Sequence, residues 1–188
     1  MARLTSLSVK FVLKSSTRLF DGFTFPALAS LDIEAEEGFC WIHPEHFYDQ
    51  LKSLRTFTFR GRSGDLLELL RHTPSLVTLQ AITYIDLNPL LFELTATPES
   101  NPVVPKLKHL TIRPDEWIVD ESPSVGLLAT MVTSRIKYRH AATCPLESLT
   151  IFIWAVLPHG NDRLNLERQL YALPMSKVEW EIGNTMGS

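Results

Sequence analysis

The side chains best suited to chemistry sit together in one short stretch. Cys40, His43 and His46 follow one another at three-residue steps, with Glu45 and Asp49 close by. Thiolate and imidazole are donors that zinc takes, and a structural zinc site closes a tetrahedron of four. Here there is one cysteine, no second donor cluster, and Pro44 stiffening the middle of the run. A helix start with exposed histidines explains the spacing as well, so no metal is expected. Nucleophilic hydrolysis has less support: Gly61-Arg62-Ser63-Gly64 lacks the G-x-S-x-G spacing of a nucleophile elbow. Its serine and glycines fit turn and capping chemistry. No P-loop or G-x-G-x-x-G run is present. Glu36 and Glu37 are adjacent, which does not set two carboxylates across a cleft. Cys144, before Pro145, reads as a small buried hydrophobe. His72, His140 and His159 have no local partner set. The expectation is a protein without enzymatic activity or cofactor.

Composition narrows the class further. The chain has 188 residues, 45% of them hydrophobic, with 18 Lys and Arg against 21 Asp and Glu for a formal net charge of -3. That length and balance predict one globular domain over 1–188, with no electrostatic pull toward nucleic acid or anionic lipid. Two cysteines do not make a disulfide framework. The first residues, MARLTSLSVKFVLKSS, lack the apolar core of a signal peptide. The longest apolar stretch, Leu149 to Leu157, falls well short of the roughly 20 residues a membrane span needs. Together these predict a soluble protein of a reducing compartment, cytoplasmic or nuclear, with neither nucleic acid nor membrane as partner.

What positions the side chains is a repeat. The pattern apolar-x-x-apolar-x-apolar occurs at Leu4/Leu7/Val9, Leu28/Leu31/Ile33, Leu54/Phe57/Phe59, Leu76/Leu79/Ala81, Leu107/Leu110/Ile112 and Leu146/Leu149/Ile151. A weaker copy stands at Met175/Val178/Trp180. Its alternation is that of a short strand with one buried face. Subtracting residue numbers gives steps of 24, 26, 22, 31, 39 and 29. Four of the six fall in the roughly 20–29 residue period of leucine-rich repeats. The two longer steps predict insertions, at Thr95–Val104 and at Pro114–Pro123.

Between the strands the apolar spacing turns helical, over His43–Leu54, Leu66–His72, Leu87–Leu94, Ser124–Arg135 and Asp162–Leu173. In the first, Phe47, Leu51 and Leu54 share a face; in the second, Asp65 with Glu68 has the spacing of a capping box. Pro26, Pro74, Pro105, Pro145 and Pro174 precede strands and disfavour helix at the residue before them. The last two stand one residue nearer their strands than the others, which loosens the expected register there. The fold class predicted is an α/β leucine-rich-repeat solenoid of about seven irregular repeats. Its curved parallel sheet lies on the concave side and its helices and loops on the convex side.

In such a stack the residues between the buried positions point outward in three columns. The first is Ser6, Ser30, Thr56, Thr78, His109, Ser148 and Lys177. The second is Ser8, Asp32, Thr58, Gln80, Thr111, Thr150 and Glu179. The third is Lys10, Glu34, Arg60, Ile82, Arg113, Phe152 and Glu181. A polar floor with charged and aromatic residues along one margin suits wet contact with another protein. Arg60, His109, Arg113, Phe152 and Trp154 are the candidate contacts. Trp117, amid Asp115, Glu116, Asp120 and Glu121 in the second insertion, is a further one.

Several stretches carry more than leucine spacing: FPALASLDIE, LKSLRTFTFRG, DLLELLRHTPSLVTLQ, VPKLKHLTIRP, GLLATMVTSR and CPLESLTIFI. The helix-Thr-Pro-Ser-Leu junction at Leu66–Leu79 and the helix ending in Ser134-Arg135 are the most specific of them. Over Phe25–Ile153 the chain resembles the leucine-rich-repeat region of F-box-like proteins of mushroom-forming fungi. The resemblance implies a ubiquitin-ligase adaptor. In that family an N-terminal F-box meets a Skp-type subunit, and the repeats capture a protein substrate. This chain begins inside a repeat, with Leu4 already on the template and no F-box ahead of it. A Skp-type contact is therefore implied only for a longer parent protein. A stand-alone repeat scaffold with no ubiquitin connection is the alternative.

Overall fold

The computed structural model describes residues 4–11, 20, 22–35, 45–61, 63–83, 87–114, 125–138, 143–154, 168, 171–172 and 177–183. They form one parallel sheet of seven strands in strictly sequential order. The strands are β1 (Ser6–Phe11), β2 (Ser30–Ala35), β3 (Thr56–Gly61), β4 (Thr78–Thr83), β5 (His109–Pro114), β6 (Ser148–Trp154) and β7 (Lys177–Gly183). Helices α1 (Glu45–Leu51), α2 (Ser63–Leu70), α3 (Asn88–Glu93) and α4 (Val125–Lys137) lie on connections between them. The architecture is thus α/β and compatible with a solenoid-like stack. The strand order never reverses, so the sheet lacks the switch-point crevice where open α/β sheets bind nucleotides.

The register follows the repeat template at every step. Ser6, Ser30, Thr56, Thr78, His109, Ser148 and Lys177 stand side by side across the sheet. The nearer prolines do not shift the ladder: Ser148 still faces both His109 and Lys177. The template leucines Leu28, Leu54, Leu76, Leu107 and Leu146 are all buried, as are the second and third template positions of β2 to β6. Phe47, Leu51, Leu66, Leu69, Leu90, Leu91, Leu128 and Met131 from the helices join the same core. Helices therefore cover one face of the sheet, and the other is open. Leu4 departs from the template, being 47% exposed. It precedes the edge strand β1, which has a described neighbour on one side only. Leu7 and Val9 at that edge, and Val178 at the opposite one, are correspondingly only partly buried.

Hydrogen bonds explain why each strand begins where it does. Before four of the strands an N–H donates three residues back: Leu28 to Phe25, Leu54 to Leu51, Leu76 to Thr73 and Leu107 to Val104. Pro26, Pro74 and Pro105 occupy the second place of three of these turns, where a fixed φ is favourable. These prolines therefore shape the turn into the strand and do not themselves end the helix: α2 stops at Leu70, ahead of Pro74. The Thr73 hydroxyl, fully buried, donates to the Leu70 carbonyl at 3.0 Å and closes that helix end. Two successive N–H groups then share one carbonyl of the preceding unit. Ala29 and Ser30 donate to Thr5, Arg55 and Thr56 to Ala29, Val77 and Thr78 to Arg55, Lys108 and His109 to Val77, and Glu147 and Ser148 to Lys108. The device recurs at five consecutive junctions and sets each register before the strand proper begins.

Helix positions agree with the sequence pattern to within a turn, with one correction. α2 starts at Ser63, so Asp65 lies in its first turn and is not the cap. An acid there still favours the positive end of the helix dipole. Glu68 pairs with Arg71 at 3.0 Å. Of the expected helix Asp162–Leu173, only residues 168 and 171–172 are described; there the Ala172 N–H donates to the Arg168 carbonyl, one helical turn back.

The longer connections need an extra tie, and Arg135 supplies it. Its side chain, on the last turn of α4, is fully buried. Nε donates to the Cys144 carbonyl at 3.3 Å and Nη1 to Leu94 at 3.1 Å. Nη2 reaches Val104 at 2.9 Å, Pro105 at 3.1 Å and Leu107 at 3.4 Å. Every partner is a backbone carbonyl. Burial lowers its pKa to about 10, so it remains charged at neutral pH. The neighbouring Ser134 hydroxyl donates to Met131 and accepts the Ala96 N–H at 3.0 Å. The insertion Thr95–Val104 is therefore tied at both ends: Thr97–Asn101 are exposed, but Leu94, Ala96 and Val104 are bonded to side chains of α4.

Replacing Arg135 should expose this dependence. Hydrogen bonds to a charged donor are worth about 1.5–3 kcal/mol each, and unmet buried carbonyls add a penalty. Arg135→Ala should lower stability by at least about 3 kcal/mol in urea unfolding. Arg135→Lys should fail to restore it, since a point donor cannot span carbonyls on three segments.

Candidate partner-binding face

The open face carries the three columns expected from the sequence. Arg60 ends one margin of β3, while Arg113 and Phe152 stand at the same height on β5 and β6. The Arg113 guanidinium lies 5.3 Å from the Phe152 ring centroid, in cation–π contact. His109 occupies the opposite end of β5, its Nδ1 2.9 Å from the Ser148 hydroxyl. The fold thus gathers Arg60, Arg113 and Phe152 along one margin and leaves His109 at the other. Trp154 closes β6 opposite Gly183 in the register. Trp117, with the rest of the acidic insertion, lies outside the described residues, as do Cys40 and His43. Among the described residues no group of three or more His, Cys, Asp or Glu side chains is placed to hold a metal ion.

Lateral links divide this face into three zones. At one edge, the Ser8 hydroxyl donates to Asp32 at 3.2 Å and Lys10 pairs with Glu34 at 2.7 Å. At the other, Thr150 donates to Glu179 at 3.4 Å and Lys177 pairs with Glu179 at 2.7 Å. Between them, Thr56, Thr58, Arg60, Thr78, Gln80 and Thr111 make no side-chain hydrogen bond or ion pair with another described residue. Sequence columns name these residues but do not show which are already engaged. They also name Ile82 without showing that it is nearly buried. It sits on the open face between Arg60 and Arg113 in the register, is only 7% exposed, and stands outside the main core cluster.

On the helix-bearing side, one shallow groove of about 350 Å³ runs along α4 beside Ala129, Thr130, Thr133, Ser134, Lys137 and Tyr138. It brings together no acid–base pair and no nucleophile with a base. No described helix is long and apolar enough to cross a membrane. Comparison with family models, curated proteins and solved structures yields no match.

Surface ion pairs, those at the edges of this face among them, also set how the molecule responds to acid. Hydrogen bonds from Lys10, Lys52, Lys108 and Lys177 hold the carboxyls of Glu34, Asp49, Glu147 and Glu179 below their usual value. A carboxyl lowered on folding contributes stability above its unfolded pKa and loses that contribution as pH falls through the folded one. Unfolding followed between about pH 6 and pH 3 should therefore show stability declining below about pH 4.5. The part due to these pairs should shrink in about 1 M salt, because all are exposed to solvent.

Proposed function

We propose that this chain is a leucine-rich-repeat domain that binds another protein through the open face of its sheet. The observation that carries the reading is the unengaged centre of that face. Six polar side chains on β3 to β5 stand on a regular ladder without a hydrogen bond or ion pair to another described residue, while the strands on either side are cross-linked. Polar groups preset on regular strands lose little freedom on binding and offer donors and acceptors at fixed spacing. In a leucine-rich-repeat solenoid this face is the concave one. Contact there is by surface complementarity, without covalent chemistry or a cofactor.

The resemblance over Phe25–Ile153 supports a more specific role, as the substrate-recognition repeats of an F-box-type ubiquitin-ligase adaptor. In that role the partner on this face is the substrate. Any Skp-type contact belongs to a segment outside these repeats. Cytoplasm or nucleus is the compartment where such an adaptor works.

Thr58→Trp with Thr111→Trp tests the site. Both positions are half-exposed on strands, where aromatic residues are tolerated. The double variant should keep the unfolding midpoint and lose the protein that the wild-type chain retains from cell extract, identified by mass spectrometry. Retention of the same protein by a folded double variant would move the binding site elsewhere.

A further inference from the structure

We propose that the end of the sheet where β3 to β5 begin is an anion seat, with Arg55 and Lys106 holding an acidic stretch of the docked protein. The proposal rests on the reading of the open face as the docking surface and adds a contact just beyond its edge.

The hydrogen bonds that start each strand place these residues. The carbonyls of Ala29, Arg55, Val77 and Lys108 each take two N–H groups from the next unit, so the four residues stand in one row across the sheet. Arg55 and Lys108 are two strands apart in that row, roughly 9.5 Å at ordinary strand spacing. Lys106 comes two residues before Lys108, as the third residue of the turn closed by Leu107 and Val104. Thr56 and Thr78, two of the six polar residues without a described bond, follow directly after Arg55 and Val77. The row therefore adjoins the centre of the open face.

Charge in this row is positive and uncommitted. Among the positions one and three residues ahead of β2 to β6, the charged side chains are Arg55, Lys106, Lys108 and Glu147. Lys108 and Glu147 hold each other at 2.6 Å. Arg55 and Lys106 are both exposed and make no hydrogen bond or ion pair with another described residue. Glu99, on the exposed insertion that leads to β5, pairs with neither. The opposite ends of the strands differ. There Lys10 is held by Glu34 at 2.7 Å, Arg60 lies within electrostatic reach of the same carboxylate, and Arg113 stacks on Phe152. Uncommitted cations beside a docking face favour an acidic partner segment. A guanidinium fork takes a carboxylate in a bidentate pair, and an ammonium on a long flexible stem takes a second one.

The test uses the full chain and three labelled peptides, each of six repeats: Glu-Gly, Gln-Gly and Lys-Gly. Fluorescence anisotropy at low salt should show the Glu peptide binding about fivefold tighter than the Gln peptide and the Lys peptide weakest, with the gaps closing at about 0.5 M salt. Arg55→Gln with Lys106→Gln should abolish the preference at an unchanged unfolding midpoint, since both side chains are exposed. Lys10→Gln with Lys177→Gln removes the same charge from cations already paired at the sheet edges and should leave the preference in place. Equal binding of the Glu and Gln peptides, no binding of either, a preference that survives the change at Arg55 and Lys106, or one lost equally in both double variants would overturn the proposal. In each of those cases the docking face itself stands if Thr58→Trp with Thr111→Trp still releases the protein captured from extract. If that protein is retained, the face falls, and the seat falls with it as a contact of the docked protein.

Discussion

A parallel strand pairs with its predecessor only after the chain has been carried back to the same end of the sheet, and this return governs the whole molecule. Each return must end at one place and in one register, because a slip by one residue would put every apolar side chain on the wrong face. The chain meets the demand with a turn into the template leucine and with two adjacent N–H groups sharing one carbonyl of the unit before. Leucine and carbonyl act together. The first is drawn into the core, and the second leaves the incoming strand a single way to pair.

Longer returns strain this arrangement, since inserted residues bring carbonyls inward without strand or helix partners. Arg135 resolves that for the stretch between β4 and β6. One guanidinium satisfies carbonyls before, within and after the path to β5, and it ties α4 to all of them. The cost is a buried charge, tolerable because every one of its partners is a strong acceptor. Ser134 beside it ties Ala96 to the same helix. The Ser134-Arg135 pair is thereby explained as a structural clamp at some distance from the open face.

The open face is what this construction presents to the outside. Its edges are stitched by ion pairs and hydrogen bonds, while six polar groups on β3 to β5 stand at strand spacing without a hydrogen bond or ion pair to another described residue. Such a centre contributes little to folding. Threonines there suit a solvated strand, and Arg60 makes no hydrogen bond or ion pair with another described residue. Those residues therefore have freedom to serve recognition, which is the basis for placing the partner there.

Much of this was legible from residue types alone. Strand positions, outward columns and register follow from a period-2 pattern repeated at six or seven places, because burial of one face leaves a single consistent alignment. Phe47 and Leu51, both buried from α1, and an unbroken sequential stack follow from the same signal. Leu54, expected on the same helical face, lies past the end of α1 in the turn into β3. Other features had no signature along the chain. Arg135 looks like an ordinary basic residue at a helix end, and only the folded path brings Leu94, Val104 and Cys144 to it. Asp65 fits a capping box by spacing, yet the helix begins two residues earlier. Leu4 matches the template but lies at an edge, where burial depends on neighbours and not on its own identity. Likewise the columns name Arg60, Arg113 and Ile82 without showing that one arginine is unengaged, the other stacks on Phe152, and the isoleucine between them is nearly buried. Local pattern determined which residues face which way; the tertiary structure alone decided which of them meet, because those contacts join residues that only stacking brings together.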